Sequence, residues 1–317
     1  KSNVPVLTKI RNISINSKKI KKNDVFLAIK GKKVDGSKFA IEAFKKKSSL
    51  VILNKLDKQI PKSKQIIVRD TLRFFSNCSS ILRRNTNAKI ISITGSCGKT
   101  TLKEMIGKIL KKISRTTFSP KSYNNKYGVP LSLFNLKSND QFGVFEVGMD
   151  KKGEIDNLTK IIKPDLGIIT NISYAHSKNF KNIKQIADAK AEIMNNIKKN
   201  GSIILNMDDR FYHYHRNIAI KKNLKVISFG IKNKYSMIKL IKIKKIKTKF
   251  EILVDLEGKK VSFNCNNINE NNIYNILATL AVINFFGNIE KLNKNIFLNI
   301  KIPKGRGDIS KIRINNK

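Results

Sequence analysis

The sequence predicts an α/β protein in two parts: a small amino-terminal α/β unit, then a larger unit with a mostly parallel sheet flanked by helices. Three observations carry this. The chain has 317 residues, enough for about two domains of ordinary size. From Lys89 onward, short apolar runs alternate with helical patterns, as βαβ units require. Between the first such strand and helix stands Thr94-Gly95-Ser96-Cys97-Gly98-Lys99-Thr100-Thr101, a turn of small residues ending in Gly-Lys-Thr-Thr.

The elements follow in order. Residues 1–85 form the small unit: Val25-Phe26-Leu27-Ala28-Ile29 is an apolar strand broken by Lys30-Gly31. A helix is expected over Phe39–Phe44, with buried strands at Leu50–Leu53 and Ile66–Val68. The central unit spans 86–310, with strands expected at 89–94, 142–147, 166–171, 202–206 and 225–229. Its helices are expected at 101–113, 153–162, 183–198 and 271–286. In the first of these, Leu102, Met105, Ile106, Ile109, Leu110 and Ile113 recur at helical spacing. The run Lys239–Lys249 alternates Lys with Ile, Leu and Thr and predicts an exposed strand with one solvated face. No internal repeat is visible.

The glycine turn carries the chemistry. A strand feeding such a loop, with Gly-Lys-Thr-Thr at a helix start, cradles a nucleotide phosphate. Backbone N–H groups face the anion, Lys99 adds a compact charge, and the Thr100 hydroxyl can reach Mg²⁺. ATP is the expected ligand and the central unit is of P-loop type. The general pattern places a glycine where Ile93 stands, so a ligand-free strand-to-helix turn remains the alternative. Other polar groups lie just past strand ends, where a doubly wound sheet places its site. Glu146 closes a strand and suits a Mg²⁺ ligand or a solvated strand-end carboxylate. His176 follows the 166–171 strand, and Lys190 sits among alanines on a helix, either snorkelling or functional.

Composition narrows the class. Lys and Arg number 65 against 22 Asp and Glu, a net charge of +43. Such an excess suggests a nucleic-acid partner. Here the basic residues are spread evenly beside abundant Asn and Ile, which reads as the codon bias of an AT-rich genome, and no nucleic-acid partner is expected. Cys78, Cys97 and Cys265 have no metal-like spacing, so neither a disulfide framework nor a zinc site is expected. No apolar run approaches the roughly 20 residues of a membrane span, and no signal peptide is visible. A cytoplasmic monomer is the expectation.

Several segments together resemble the Mur ligase family of ATP-dependent amide-forming enzymes of peptidoglycan synthesis. Asn16 to Ile20, Asp24 to Ala28, and Lys30-Gly31 through Asp35-Gly36 resemble its UDP-sugar-binding domain. Thr94 to Met105 matches its shorter phosphate loop, Thr-Gly-x-x-Gly-Lys-Thr-Thr, which has no earlier glycine. Tyr123 to Leu131 resembles the Asn-Asn-x-x-Gly-Val-Pro-Leu segment, and Glu146-Val147-Gly148-Met149 with Gly153-Glu154-Ile155 is a further match.

The resemblance assigns roles. It implies nucleotide contacts by Gly95, Ser96, Gly98, Lys99, Thr100, Thr101, Asn272, Asn275 and Arg306. It implies substrate contacts by Ser17, Lys18, Asn124 and Asn125. Thr100, Glu146, His176 and Lys190 would hold Mg²⁺, Lys190 after carbamylation by CO₂. Lys99, Lys190 and His176 would be catalytic. Three positions depart from the family: Asn271 replaces His, Asn16 replaces Asp and Lys18 replaces Arg. The Lys103-Glu104-Met105 continuation points to the member that joins D-alanyl-D-alanine to UDP-N-acetylmuramoyl-tripeptide. In that reaction a substrate carboxylate takes the γ-phosphate of ATP to give an acyl phosphate, which the incoming amine attacks, releasing phosphate. The alternatives are the member adding the third, diamino residue, a basic nucleic-acid-binding NTPase, and a substrate-binding remnant without activity. Residues 311–317 would begin the linker to a carboxyl-terminal domain that this chain lacks.

Overall fold

A computed structural model of the chain describes residues 10–31, 34–174, 179–298 and 300. Its strands fall into two sheets. The smaller holds β1 (Ile13–Ser14), β2 (Val25–Leu27), β3 (Leu50–Leu53) and β4 (Gln65–Ile67), all parallel and in that order. β2 and β3 are buried at every position, so they read as continuous apolar runs rather than alternating ones. The expected helix near 39–44 is α1 (Ala40–Lys45), entered through a 3₁₀ turn at Gly36–Phe39.

The larger sheet contains β5 (Lys89–Thr94), β6 (Thr116–Phe118), β7 (Phe142–Glu146), β8 (Leu166–Ile169), β9 (Ser202–Asn206) and β10 (Lys225–Gly230). Three further strands complete it: β11 (Ile238–Ile246), β12 (Lys249–Leu256) and β13 (Lys259–Cys265). The spatial order is β13-β12-β11-β10-β9-β8-β5-β7-β6. Every pair from β6 to β11 is parallel, and β11-β12-β13 is an antiparallel meander. The mostly parallel expectation holds, and the Lys-rich run forms β11 with its lysines largely toward solvent.

β5 lies between β7 and β8, where the strand order reverses. Ligand crevices form outside the carboxyl ends of strands at such a switch point. From β5 the chain passes into α3 (Lys99–Ile113), followed in order by α4 (Gly128–Leu133), α5 (Glu154–Ile162) and α6 (Ile183–Ala191). The expected 183–198 helix is α-helical only to Ala191 and continues as a 3₁₀ turn over Glu192–Asn196. α7 (Tyr212–Lys221) and α8 (Glu270–Phe285) complete the large unit. One apolar core joins α3 and α8 to the meander, and a second fills the opposite face beneath α5 and α6. α8 is buried almost all round, which its apolar middle requires.

Several elements were not anticipated: β1, β6, β12, β13, α4, α7 and the helix that follows β4. α2 (Thr71–Arg84) starts on Asp70, whose carboxylate accepts from the Arg73 N–H at 2.9 Å. Its Phe75 packs with Val25, Leu27, Leu50 and Ile52 of the small sheet and stacks on Phe134 after α4. Its Arg83 is buried and donates to the Ile162 and Lys163 carbonyls and to Asp165 at 2.7, 3.0 and 3.1 Å. α2 thus ties the small sheet to the large unit. Among the described residues, no helix is long and apolar enough to cross a membrane.

Candidate functional site

The loop between β5 and α3 is shaped by two glycines. Gly95 has φ +140°, and a Cβ there would lie 1.9 Å from Thr170 Oγ1. Gly98, at the α3 amino end, has φ +82°. Only glycine meets both demands cheaply. The segment after β8 braces the loop from outside. The Ser96 N–H donates to the Asn171 carbonyl at 2.9 Å, and the Cys97 N–H to Asn171 Oδ1 at 3.0 Å. Thr170 Oγ1 donates to the Cys97 carbonyl at 2.7 Å, and Ser96 Oγ to the Ser173 carbonyl at 3.0 Å. Thr170, Asn171 and Ser173 were not singled out from sequence. Their position just past a strand end, beside His176, was the available signal.

Lys99 curls over the loop, donating to the carbonyls of Gly95 at 2.6 Å and Ser96 at 3.1 Å. Thr100 Oγ1 donates to Glu146 Oε2 at 2.7 Å, so the hydroxyl and carboxylate assigned to Mg²⁺ are neighbours. Asn124 Nδ2 donates to the other oxygen, Oε1, also at 2.7 Å. Glu146 is 1 % exposed. Asn275, on α8, places its Oδ1 3.4 Å from where a Gly98 Cβ would stand. Asn272 lies one turn earlier, its amide donating to the Asn267 carbonyl at 2.6 Å. Tyr274 between them donates to Asp208 at 3.0 Å, and burial first, then the Asp208 charge, raises its phenol pKa.

Lys190 is the anomaly of the site. It is wholly buried on α6, and its ammonium nitrogen has no hydrogen-bond partner among the described residues. Burial foremost, then the nearby charge of Lys99, pushes its pKa down from 10.5 to about 7, against the opposing pull of Glu146, Glu192 and Asp150. An uncharged amine is the form that reacts with CO₂, and carbamylation here would leave an oxygen-bearing anion in the field of Glu146. These donors suit a hard divalent cation. Two residues on, Glu192 accepts from the N–H groups of Gly153 at 2.6 Å and Asp156 at 3.2 Å, fixing the start of α5.

A cleft of about 1430 Å³ opens beside the loop and Glu146; Thr100 and Lys190 are not among its lining residues. On one side lie Ser96–Lys99, Asn124, Asn125, Glu146, Asn272 and Asn275, and on the other Ile15, Ile29, Val34 and Phe39 from the small unit. Asn125 also caps α4, its Oδ1 accepting from the Tyr127 and Gly128 N–H groups at 3.1 and 3.0 Å. Ser17 and Lys18 do not line the cleft: Ser17 is buried with its hydroxyl on Glu42 at 2.9 Å, and Lys18 is exposed nearby. His176 and Arg306 lie outside the described residues. Among the described residues, no group of three or more His, Cys, Asp or Glu side chains is arranged to hold a metal.

Comparison with known proteins agrees with this geometry. The family model for the Mur ligase middle domain matches residues 93–283, and that described as Mur ligase family, catalytic domain, matches 9–75. The chain is 32 % identical over 305 residues to the UDP-N-acetylmuramoyl-tripeptide--D-alanyl-D-alanine ligase of Rickettsia prowazekii, covering 95 % of this chain and 67 % of that protein. Against the same-named ligase of Buchnera aphidicola, identity is 38 % over 225 residues, covering 71 % and 49 %. The chain thus spans about half to two thirds of the length of the curated relatives it matches. A crystal structure of MurF from Acinetobacter baumannii superposes with a TM-score of 0.86 at 28 % identity, covering 97 % of this chain and 67 % of that one. MurF ligase from Thermotoga maritima in complex with ADP shares the fold, with a TM-score of 0.83 at 24 % identity over 96 % of this chain and 69 % of its own. The chain belongs to the Mur ligase family.

Proposed function

We propose that this chain binds ATP and UDP-N-acetylmuramoyl-tripeptide for a ligase that adds D-alanyl-D-alanine to the tripeptide. In this reading residues 1–85 grip the UDP-sugar and residues 86–310 carry the nucleotide. The observation that carries it is the Thr100–Glu146 hydrogen bond beside the glycine loop, with the buried Lys190 within the field of Glu146 and Lys99. The names of the Rickettsia and Buchnera relatives support the choice of member over the ligase adding the third residue.

Thr100, Glu146 and carbamylated Lys190, with His176, would hold Mg²⁺, which neutralises phosphoryl charge when bound. The chain's own residues do the rest. The loop N–H groups and the start of α3 orient the phosphates, and Lys99 leaves its loop carbonyls to meet the transferring phosphoryl group. Asn272 and Asn275 face the base, with Arg306 beside the nucleotide. Asn124 and Asn125 orient the tripeptide carboxylate towards the γ-phosphate, and the small unit's side of the cleft, Ile15, Ile29, Val34 and Phe39, faces the UDP end. Attack of the dipeptide amine on the carbonyl of the resulting acyl phosphate forms the amide and expels inorganic phosphate, so catalysis is positional and electrostatic.

Phosphate release from ATP tests the reading. It is expected only with UDP-N-acetylmuramoyl-tripeptide and D-alanyl-D-alanine together, in an assay of the full-length protein. Turnover of a UDP-dipeptide with a diamino acid instead would reassign the member. Calorimetry on this chain should detect Mg-ADP and the UDP-tripeptide separately, and sedimentation tests the expected monomer.

A further inference from the structure

Lys103 lies on the inner face of α3, one turn beyond Lys99, and is wholly buried. Burying an ammonium costs several kcal/mol unless its donors are all used. Here they are. Its Nζ donates to the Ser119 carbonyl at 2.6 Å, the Lys121 carbonyl at 2.8 Å and Glu104 Oε1 at 2.7 Å. An ammonium has three donors, and this one has three acceptors. Burial raises the Glu104 carboxyl, but the hydrogen bond and charge of Lys103, with help from Lys108, outweigh it and leave its pKa lowered.

Two of the acceptors belong to the segment that follows β6 and leads into Asn124. That segment contains Lys121 at φ +48°, a left-handed conformation that a side chain opposes, and is also tied by the Ser119 N–H to the Val144 carbonyl at 2.9 Å. Ser119 Oγ accepts from the Glu146 N–H at 3.3 Å. Further along, the Asn124 carbonyl accepts from the Gly148 N–H at 2.8 Å, and its amide packs so closely that a Cβ at residue 148 would lie 3.0 Å away. From there Asn124 reaches Glu146, which in turn holds Thr100, back on α3. The path is a closed ring: α3, Lys103, the 119–124 segment, Glu146, Thr100, α3.

We propose that Lys103 is a positioning residue: by binding the Ser119 and Lys121 carbonyls it holds the 119–124 segment so that Asn124 fixes Glu146 against Thr100. A cation is used because it satisfies two carbonyls and a carboxylate at once, which no neutral side chain of that length can do. The inference rests on the reading of Thr100 and Glu146 as the Mg-nucleotide site.

The test measures binding of the fluorescent nucleotide mant-ADP as Mg²⁺ is raised, in wild type, Lys103→Met, Asn124→Ala and the double variant. Each single change is expected to raise the Mg²⁺ midpoint about tenfold, and the double no further than the larger single, because both act through one contact. Hydrogen exchange of the ligand-free protein should quicken over 119–124 in Lys103→Met. Lys103→Gln, which keeps two N–H donors but is shorter and uncharged, should recover the midpoint only in part, and it replaces Lys103→Met in the cycle if circular dichroism finds the latter unfolded. A midpoint unchanged within about twofold, or shifts that multiply in the double variant, overturns the proposal while leaving the nucleotide site intact. Absence of Mg²⁺-dependent binding in the wild type overturns both.

Discussion

Lys103 on α3 and Lys190 on α6 are buried to the same degree, yet they meet the cost of burial in opposite ways. Lys103 spends every donor on fixed acceptors. Lys190 has none among the described residues, and its pKa falls to about 7 instead. A buried cation must be paired or must give up its proton. The contrast separates two proposed roles: the satisfied lysine would build the site, and the one without a partner would carry the chemistry.

The comparison breaks most readily on activity. Lys190→Met is expected to lower phosphate release by about 10²–10³-fold, the loss typical of removing a preorganised electrostatic group. An activity within a fewfold of wild type would remove Lys190 from the mechanism. Stability should move the other way. In bicarbonate-free buffer Lys190→Met should be neutral or more stable by about 1–4 kcal/mol, because an unpaired amine becomes an apolar chain of similar length. Lys103→Met should instead lose about 3–5 kcal/mol, since it strands two carbonyls and a carboxylate. Denaturant melts showing the same sign for both would collapse the distinction.

The pH dependence sharpens it further. Because folding lowers the Lys190 pKa from 10.5 to about 7, the unfolded chain binds more protons throughout that window. The stability of the ligand-free protein relative to Lys190→Met should therefore rise with pH from about 7 upward, by about 1.4 kcal/mol per unit, and be flat below. Activity should need added bicarbonate most at pH 6, where the amine is charged, and least at pH 8. A requirement independent of pH would count against carbamylation. The smallest effect concerns Cys97, exposed in the loop. Mg-ATP at tenfold its Kd should slow alkylation of Cys97 by about tenfold, followed by mass spectrometry. Equal rates with and without nucleotide would place ATP elsewhere.

The parts of the molecule differ in how plainly the sequence announces them. β5, the glycine loop and α3 were legible because a buried strand, two glycines and a 3.6-residue stripe occur in one stretch of chain. α2 was not. Its apolar residues Phe75 and Leu82 are mixed with Ser, Asn and Arg, because it is held by two different bodies rather than by one continuous core. β12 and β13 were missed too, since their partner β11 shows mainly its lysines. Lys103 and Lys190 are a sharper case. In sequence, each is a lysine on an amphipathic helix.

What the sequence determined by itself was local: the α/β alternation, the phosphate loop, and the order of the segments that identify the family. These depend on side-chain period and on residue types with special backbone freedom, both of which are written along the chain. Only the tertiary structure decided that Thr100, Asn124 and Glu146 meet, that Ser17 turns to Glu42, and that one buried lysine is paired and the other is not. Those outcomes depend on distances between residues tens of positions apart, and on which acceptors each burial leaves within reach.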